Sequence, residues 1–430
     1  MKSLFKILLA AAIGMASFSF VGCSDEEFTP TIFDTREYPL DKSVYSFPLD
    51  TFLKVNFLEP YNLKFLYKMQ DIGSDMQKNL VPCEYEKSIE IAVLSKYLWY
   101  DVYDKCAGKT FLKLYSPRII HVIGSPALNP SSGTETLGQA EGGLKITLYN
   151  ANNLSPTDIE MMNEKFFKTM HHEFSHILHQ NKEYPTDFRL ISNGLYNAIS
   201  WQDTADSLAV AQGFVSDYAS SQAREDWVEI IANYIVKDSI TWANMLNTAQ
   251  YDWERVSVDN SVYNRYVTGS KNADGQINDP TIGRGYHFRA GVNPDSVGYI
   301  DHKNPRASNN QYNIQRKIIQ RDTLDMPLRN AEGIGQIIYS DNTDGIDGRQ
   351  IILQKLEMAR TWLKEKFDLN LEDLRKEVQT RQWVTDAKGN FVFDKDGKYI
   401  NRLTYPIDDT GRTLMDALKE EVYKYKELQK

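Results

Sequence analysis

Apolar side chains recur at intervals of three and four residues in several long stretches of this chain. This spacing is typical of helices that bury one face and expose the other. The four clearest predicted helices span residues 86–107, 344–367, 371–380 and 414–428. Gly108 is predicted to end the first of them.

Short runs with the composition of strands lie beside these predicted helices. Residues 111–115 and 119–123 are rich in apolar and β-branched side chains and predict two strands. Residues 144–149 alternate apolar and polar positions, which predicts a half-buried strand at a sheet edge. Residues 384–403 predict a hairpin with its turn at residues 395–398.

The helical spacing also runs through the middle of the chain, where it predicts a helix that carries several histidines. Ser155 is its predicted N-cap and Pro156 its first helical residue, while Asn181 and Pro185 mark its end. The predicted buried face comprises Phe166, Phe167, Met170, Phe174, Ile177 and Leu178.

This helix contains the pattern H-E-x-x-H, at His172, Glu173 and His176. Positions i and i+4 share one face of a helix, so the two imidazoles can bind the same metal ion. Glu173 lies beside the pair, where its carboxylate can accept a proton from a reacting water. The pattern is the minimal arrangement for zinc-assisted hydrolysis, and the alternative is an amphipathic helix with surface histidines.

A catalytic zinc site usually has three protein ligands, so a third ligand is expected further along the chain. The metzincin class requires Gly and His where this sequence has His179 and Lys182, which excludes that class. His179 is therefore expected to contact a ligand from outside the metal shell or to face solvent.

A second predicted helix begins at Glu225 and supplies a better candidate for the third ligand. Its apolar positions favour a buried helix, and Glu229 lies one turn after Glu225 on the same face. A carboxylate on a second helix is the gluzincin arrangement, and Glu229 would then accept the other N–H of a ligand imidazole. The alternative is a solvent-facing helix surface with two glutamates.

The order of predicted elements indicates an α+β fold with a small mixed sheet. Helix, strands, edge strand and then the H-E-x-x-H helix is the order of a zincin-like catalytic domain, predicted for residues 46–250. Residues 129–143 predict an exposed loop, and residues 251–430 predict a largely helical C-terminal region. Residues 259–308 are rich in Asn, Asp, Gly and Pro and predict an insertion, either a lid or a plain surface loop.

The N-terminal segment predicts export and anchoring rather than folded structure. Residues 1–22 combine basic residues with an apolar run too short to span a membrane, which is typical of a signal peptide. The run ends before Cys23 and resembles a bacterial lipoprotein signal, in which that cysteine is acylated. Residues 23–45 then predict a linker, with an acidic start that resembles a surface-export signal. The alternative is an ordinary secretory signal with an unrelated cysteine.

Composition narrows the function classes without deciding among them. The chain has 42% hydrophobic and 25% charged residues, as expected for a globular protein. Its formal net charge of -9 gives no electrostatic reason to expect a nucleic-acid partner. Cys83 and Cys106 have no metal-binding spacing; they could form a disulfide or remain two thiols.

The motifs together resemble the zinc-binding metallopeptidases of Bacteroidetes and, more narrowly, their substrate import-associated zinc metallohydrolase lipoproteins. The resemblance rests on H-E-F-S-H-I-L-H-Q, F-V-S-D-Y-A-S-S and E-D-W-V-E, and the E-x-x-x-E helix is also similar to the catalytic domain of anthrax lethal factor. It implies zinc as cofactor, with His172, His176 and Glu225 as ligands and Glu173 as the base. It also implies Tyr218 as a hydrogen-bond donor to the oxyanion, with Asp226 as a competing or outer carboxylate.

The same resemblance implies a location and partners. The chain would be a lipid-anchored outer-membrane protein at the cell surface, beside a TonB-dependent importer and its surface lipoprotein. Its substrate would be a peptide or protein. Two alternatives remain open: an inactive accessory lipoprotein of such an importer, and a hydrolase of an amide or ester on a sugar.

Overall fold

The computed structural model describes most of the chain beyond residue 39. The described residues are 40–69, 80–128, 135–136, 138–141, 144–259, 298–301, 306–308, 311–331, 338–341 and 343–429. Within them, Tyr45–Lys430 forms one compact unit, to which the following description applies. Cys23 and the rest of the predicted signal and anchor segment lie outside the described residues.

Helices form most of the regular structure and are named here in chain order. The α-helices are α1 (Phe47–Leu53), α2 (Glu59–Tyr61), α3 (Tyr85–Ser95), α4 (Asp101–Ala107), α5 (Lys109–Tyr115), α6 (Ile159–Met162), α7 (Lys168–Asn181), α8 (Phe188–Ile191), α9 (Asp206–Ala211), α10 (Ala223–Val236), α11 (Ser239–Ala249), α12 (Gly348–Phe367), α13 (Leu371–Gln382) and α14 (Leu414–Tyr423). Three five-residue π-helical turns join consecutive α-helices: Lys54–Leu58, Lys96–Tyr100 and Asn163–Phe167.

Two larger sheets accompany the helices. The strands are β1 (Lys64–Leu66), β2 (Ile119–Val122), β3 (Ala127–Leu128), β4 (Glu135–Thr136), β5 (Gly138–Glu141), β6 (Lys145–Leu148), β7 (Trp253–Asp259), β8 (Gly298–Ile300), β9 (Arg306–Ser308) and β10 (Gln311–Lys317). The first sheet has the order β1-β2-β6-β5, with β5 antiparallel to β6 and the other pairs parallel. In the second, β7, β8 and β9 all pair antiparallel with β10.

Most of the predicted helices are confirmed. The stretch predicted at 86–107 is α3, a π-helical turn and α4, and the predicted end at Gly108 has a positive φ of 81°. The helices predicted at 344–367 and 371–380 are α12 and α13, and the terminal helix is α14 followed by a 3₁₀ turn. The predicted start at Ser155 is wrong, because Asp158 caps α6 by accepting a hydrogen bond from the Met161 N–H.

The stretch predicted as a strand at residues 111–115 is helical. It forms most of α5, which buries Phe111 and Leu112 but leaves Leu114 63% exposed. A run of five residues with apolar side chains fits both the strand and the helix period, so the pattern alone could not separate them. The neighbouring strand predicted at 119–123 is confirmed as β2.

The strand predicted at residues 144–149 exists, but its predicted position at a sheet edge is wrong. It is β6, which lies between β2 and β5. Thr147, a polar position in the alternating pattern, is only 2% exposed, because both faces of the strand are covered. The edge is β5, which occupies part of the stretch predicted as a loop at 129–143.

The C-terminal region is helical as predicted from residue 348 onward, but it starts with the unpredicted sheet of β7 to β10. Within the hairpin predicted at 384–403, Phe393 bridges to Tyr399 across the expected turn, which confirms that turn. Most of the predicted insertion at 259–308 lies outside the described residues. The predicted boundary near residue 250 remains a prediction, and one buried cluster draws members from both sides of it, from Leu49 to Val422.

This core positions two helices, α7 and α10, against each other. The π-helical turn Asn163–Phe167 leads directly into α7, and buried π turns often occur near functional sites. Gly138 of the edge strand approaches α7 so closely that an added Cβ would lie 2.1 Å from the Thr169 Cγ2. Among the described residues, none of the helices combines the length and apolar character needed to cross a membrane.

Candidate metal centre

Helix α7 presents the H-E-x-x-H pattern toward α10. His172, Glu173 and His176 are all buried, and their ligand atoms lie within 4.8 Å of one another. The neighbouring His171 has a different environment, because its Nδ1 lies 3.0 Å from the Tyr103 hydroxyl inside the apolar core. Consecutive helical residues point in different directions, so one helix supplies both a site face and a core face.

Helix α10 brings Glu225 to the same point. The Glu225 Oε2 lies 3.2 Å from the His172 Nε2 and 3.1 Å from the His176 Nε2. Gln222, the extended residue before the helix, donates from its amide to the other carboxylate oxygen at 3.3 Å. The first turn of a helix favours acidic side chains, since its free N–H groups carry partial positive charge. The structure therefore joins three predicted ligands from two helices.

The distances from the Glu225 Oε2 to the two imidazole nitrogens fit a shared zinc ion. Zinc with ligands at about 2.0–2.1 Å in a tetrahedron requires donor atoms about 3.3 Å apart. The two distances from Glu225 to the imidazole nitrogens are 3.2 and 3.1 Å. Two imidazoles and one carboxylate are also a common donor set for catalytic zinc, with the fourth position left for water or substrate. Glu173 belongs to the same buried group, with a carboxylate oxygen within 4.8 Å of the imidazole nitrogens, and burial raises the pKa of its carboxyl.

His172 is oriented by a buried carboxylate. Its Nδ1 lies 2.7 Å from the Glu229 Oε1 and donates to this carboxylate, while its Nε2 faces Glu225. The other oxygen of Glu229 accepts hydrogen bonds from the Ser216 hydroxyl at 2.6 Å and from the Asn233 amide at 3.0 Å. Burial alone would raise the pKa of Glu229, but the nearby Lys168 and the hydrogen bonds from His172 and Ser216 hold this pKa well below its usual range.

His176 is oriented by another imidazole. Its Nδ1 lies 2.9 Å from the Nε2 of His179 one turn further along α7. Burial lowers the pKa of His179 to about 4, which keeps this imidazole neutral, so its Nε2 can accept a hydrogen bond from His176. Of the two roles expected for His179, the structure thus favours contact with a ligand over exposure to solvent. The Tyr184 ring packs edge-on against His179, with 5.5 Å between ring centroids.

Tyr218 lies beside the His172 imidazole, with 5.8 Å between ring centroids. It begins a 3₁₀ turn whose N-cap is Asp217, and this side chain accepts from the Tyr218 N–H at 2.8 Å. Trp201 packs edge-on against the Tyr218 ring at 4.9 Å. Burial and the negative charge of Glu225 raise the pKa of Tyr218, so its hydroxyl keeps its proton and can donate a hydrogen bond.

Asp226 does not join the imidazoles, although it follows Glu225 in sequence. Its Oδ2 lies 2.7 Å from the Lys355 Nζ and accepts from the Tyr196 hydroxyl at 2.9 Å. Asp226 therefore forms an ion pair with Lys355 instead of facing the imidazoles of His172 and His176.

Several residues that support the site were not found from the sequence. Asn233 lies one turn after Glu229, which is a signal that the helical spacing already contained. Lys355 falls within the apolar series Ile352, Leu356 and Ala359 of α12, so its position on the buried face was also visible. Ser216 and Trp201 belong to irregular segments, where spacing carries no comparable signal.

Comparison with known proteins assigns the chain to a family. The model of a family described as "putative zinc-binding metallo-peptidase" matches residues 43–372. The chain belongs to this family. The match includes both helices of the candidate metal centre, and the family description agrees with zinc as the predicted cofactor and with a metallohydrolase as the predicted class.

A solved structure supports the same assignment for the zinc-binding metallopeptidase family. The chain is similar to a protein titled as a putative zinc-binding metallo-peptidase from Bacteroides caccae ATCC 43185, with 29% identity and a TM-score of 0.50. The similarity covers 78% of this chain and 91% of that one. A search of curated proteins gave no match.

In the described structure Cys83 and Cys106 are free thiols, which decides between the two alternatives for this pair.

Proposed function

We propose that this chain is a zinc-dependent peptidase of the gluzincin type, with His172, His176 and Glu225 as the metal ligands. The observation that carries this proposal is the position of the Glu225 Oε2, within 3.2 Å of the Nε2 atoms of both histidines. A carboxylate held between two imidazoles by a second helix has the donor types and spacing of a catalytic zinc site. The membership in a zinc-binding metallopeptidase family supports the same reading.

The proposed roles follow from where each side chain lies. Zinc, when bound, supplies a Lewis acid that activates water and polarises the scissile carbonyl. Glu173 accepts the proton of the attacking water on a carboxylate oxygen and later delivers it to the leaving amine. The Tyr218 hydroxyl donates a hydrogen bond to the oxygen that becomes negative as water attacks. Glu229 and His179 hold the proton on the Nδ1 atoms of the two ligand histidines.

Metal content of the purified protein beside a Glu225→Ala variant tests the ligand set. We expect near-stoichiometric zinc in the parent and a clear loss in the variant. Glu357→Ala is the matched control, because Glu357 is an exposed glutamate on α12 that pairs with Arg360 at the surface. A parent that folds but takes up no zinc, even when zinc is supplied, would contradict the proposal.

Glu173→Gln separates metal binding from turnover. We expect this variant to keep zinc and to lose about 100-fold or more in the rate of peptide hydrolysis, since the amide cannot accept a proton. Cleavage of a peptide library, followed by mass spectrometry, measures the loss. Retained hydrolysis would remove Glu173 from the role of base. A parent that binds zinc but cleaves no peptide would favour the accessory lipoprotein or the sugar amide or ester hydrolase.

We further propose that Cys23 carries a lipid anchor and that the protein lies at the outer-membrane surface beside a TonB-dependent importer and its surface lipoprotein. The support is the sequence around Cys23 and the acidic run that follows it. Cys23→Ala should release the protein from the membrane fraction, and protease accessibility of intact cells tests the surface location. Membrane association that persists in Cys23→Ala would overturn the anchor.

A further inference from the structure

We propose that Lys355 is a positioning residue for the metal centre, although it lies on α12 in the C-terminal region. Its ammonium group contacts Asp226 and the carbonyl oxygen of Gly213, and these three residues are called here the Lys355 bridge. The inference rests on the proposed zinc site, because the bridge acts through residues that neighbour its ligands and Tyr218. Nothing in the H-E-x-x-H pattern points to Lys355.

One end of the bridge fixes the first turn of α10. The Lys355 Nζ lies 2.7 Å from the Asp226 Oδ2, and Asp226 directly follows Glu225 in that turn. A rotation or shift of this turn would move the Glu225 carboxylate relative to the imidazoles of α7. The ion pair therefore holds the third ligand in register with the other two.

The other end fixes the segment that leads to Tyr218. The Lys355 Nζ donates to the Gly213 carbonyl oxygen at 2.7 Å and lies 4.2 Å from the centroid of the Phe214 ring. The segment continues to Ser216, whose hydroxyl donates to Glu229. One cation thus contacts both protein segments that complete the site around α7.

Backbone geometry brings the same segment against α12. Gly213 has a positive φ of 85°, a conformation that residues with a Cβ rarely adopt. A Cβ at this position would lie only 2.3 Å from the Ile351 Cγ2. Glycine therefore allows the turn and the close approach that put its carbonyl oxygen within reach of Lys355.

The burial of the pair argues that its role is geometric. The side chains of Lys355 and Asp226 are each 1% exposed. Removing two charges from water costs much of what their attraction returns, so a buried ion pair is weak evidence for stability. Its hydrogen-bonding directions, by contrast, are specific, because Asp226 also accepts from Tyr196 and Lys355 also donates to Gly213.

The experiment compares zinc affinity among folded full-length variants. Lys355→Met leaves Asp226 buried and unpaired and could unfold the chain, so the decisive variant is the double Asp226→Asn/Lys355→Met. This double variant removes both charges and keeps an acceptor for Tyr196. Chelator competition measures the zinc dissociation constant, circular dichroism verifies the fold, and kcat and KM are measured separately.

Arg375→Met is the matched control. Arg375 of α13 is also buried, donates to the Tyr234 carbonyl oxygen and lies 4.2 Å from the Tyr234 ring. It thus ties a C-terminal helix to α10 in the same way, but two turns beyond Glu225. This variant should unfold more easily than the parent while its folded form keeps the parent's zinc affinity.

We expect the double variant to bind zinc about 10-fold more weakly, the lower end of the range for residues that orient ligands from outside the metal shell. We also expect a lower kcat with little change in KM, because Glu225 and Tyr218 move while substrate contacts elsewhere remain. Parental zinc affinity in a folded double variant would overturn the inference. So would an equal loss in Arg375→Met, which would make the bridge ordinary packing.

The outcomes also separate this inference from the proposed function. If the parent binds zinc but hydrolyses no peptide, the peptidase proposal fails and the zinc comparison still decides the role of Lys355. If the parent binds no zinc, the metal centre and the positioning role fall together.

Discussion

The two histidines of the proposed metal centre have different partners on their Nδ1 atoms. His172 faces the fully buried carboxylate of Glu229, which in turn accepts from Ser216 and Asn233. His176 faces His179, a neutral imidazole at the half-buried end of α7. An anionic acceptor both orients an imidazole and makes it a stronger ligand, whereas a neutral acceptor mainly orients it. The comparison indicates that His172 contributes more to zinc affinity than His176 does.

The largest effect on zinc binding is expected when Glu229 is replaced. Glu229→Ala should weaken zinc affinity about 100-fold, the upper end of the range for such partners, because His172 loses its acceptor and Lys168 loses a nearby anion. Glu229→Gln keeps an acceptor oxygen but removes the charge, so its loss should be smaller. Chelator competition measures both. Parental zinc affinity in Glu229→Gln would show that the charge contributes nothing.

Replacement of His179 should have a smaller effect. His179→Ala removes only a neutral acceptor from His176, so zinc affinity should fall about 10-fold. The same competition assay gives the ratio between the Ala variants at positions 179 and 229. A loss at His179 as large as that at Glu229 would contradict the unequal support described above.

Ser216→Ala sharpens the comparison on the His172 side. It removes one hydrogen bond to the buried Glu229 carboxylate, and bonds to charged groups contribute about 1.5–3 kcal/mol to stability. The free energy of unfolding, measured with urea, should fall by about this amount. Zinc affinity should change less than in His179→Ala, because Asn233 continues to hold Glu229.

His171→Gln should leave zinc affinity at the parental value. His171 is adjacent to His172, but its Nδ1 contacts the Tyr103 hydroxyl in the core rather than the metal centre. The variant is a control for general damage to α7. A clear loss of zinc would mean that the distinction between the two faces of this helix is wrong.

The histidines and glutamates that sequence analysis found share one property: spacing along a single helix places each of them beside its neighbour in the site. His172 and His176 are one turn apart on α7, and Glu225 and Glu229 are one turn apart on α10, so local periodicity places each pair. That the pairs face each other came from a resemblance, and the structure brings them within hydrogen-bond distance.

The residues and elements that sequence analysis missed depend on contacts between distant parts of the chain. Lys355 lies 129 positions after its partner Asp226 in the sequence, and spacing within α12 cannot identify a partner on α10. The same limit explains the incorrect sheet edge. Strand β6 has an alternating pattern, but whether β5 covers its second side depends on a loop whose pattern gives no strand signal.

The hydrogen bonds of Asn163 carry a consequence for the order in which the protein is assembled. Asn163, in the π-helical turn just before α7, exchanges amide hydrogen bonds with Gln382 and donates to the Val236 carbonyl oxygen. During synthesis, the chain therefore contains the three proposed zinc ligands long before it contains Gln382, which bonds to the turn that precedes α7. We expect zinc to be captured late, by the finished chain, and a chain ended after Ala249 to retain the ion poorly in equilibrium dialysis.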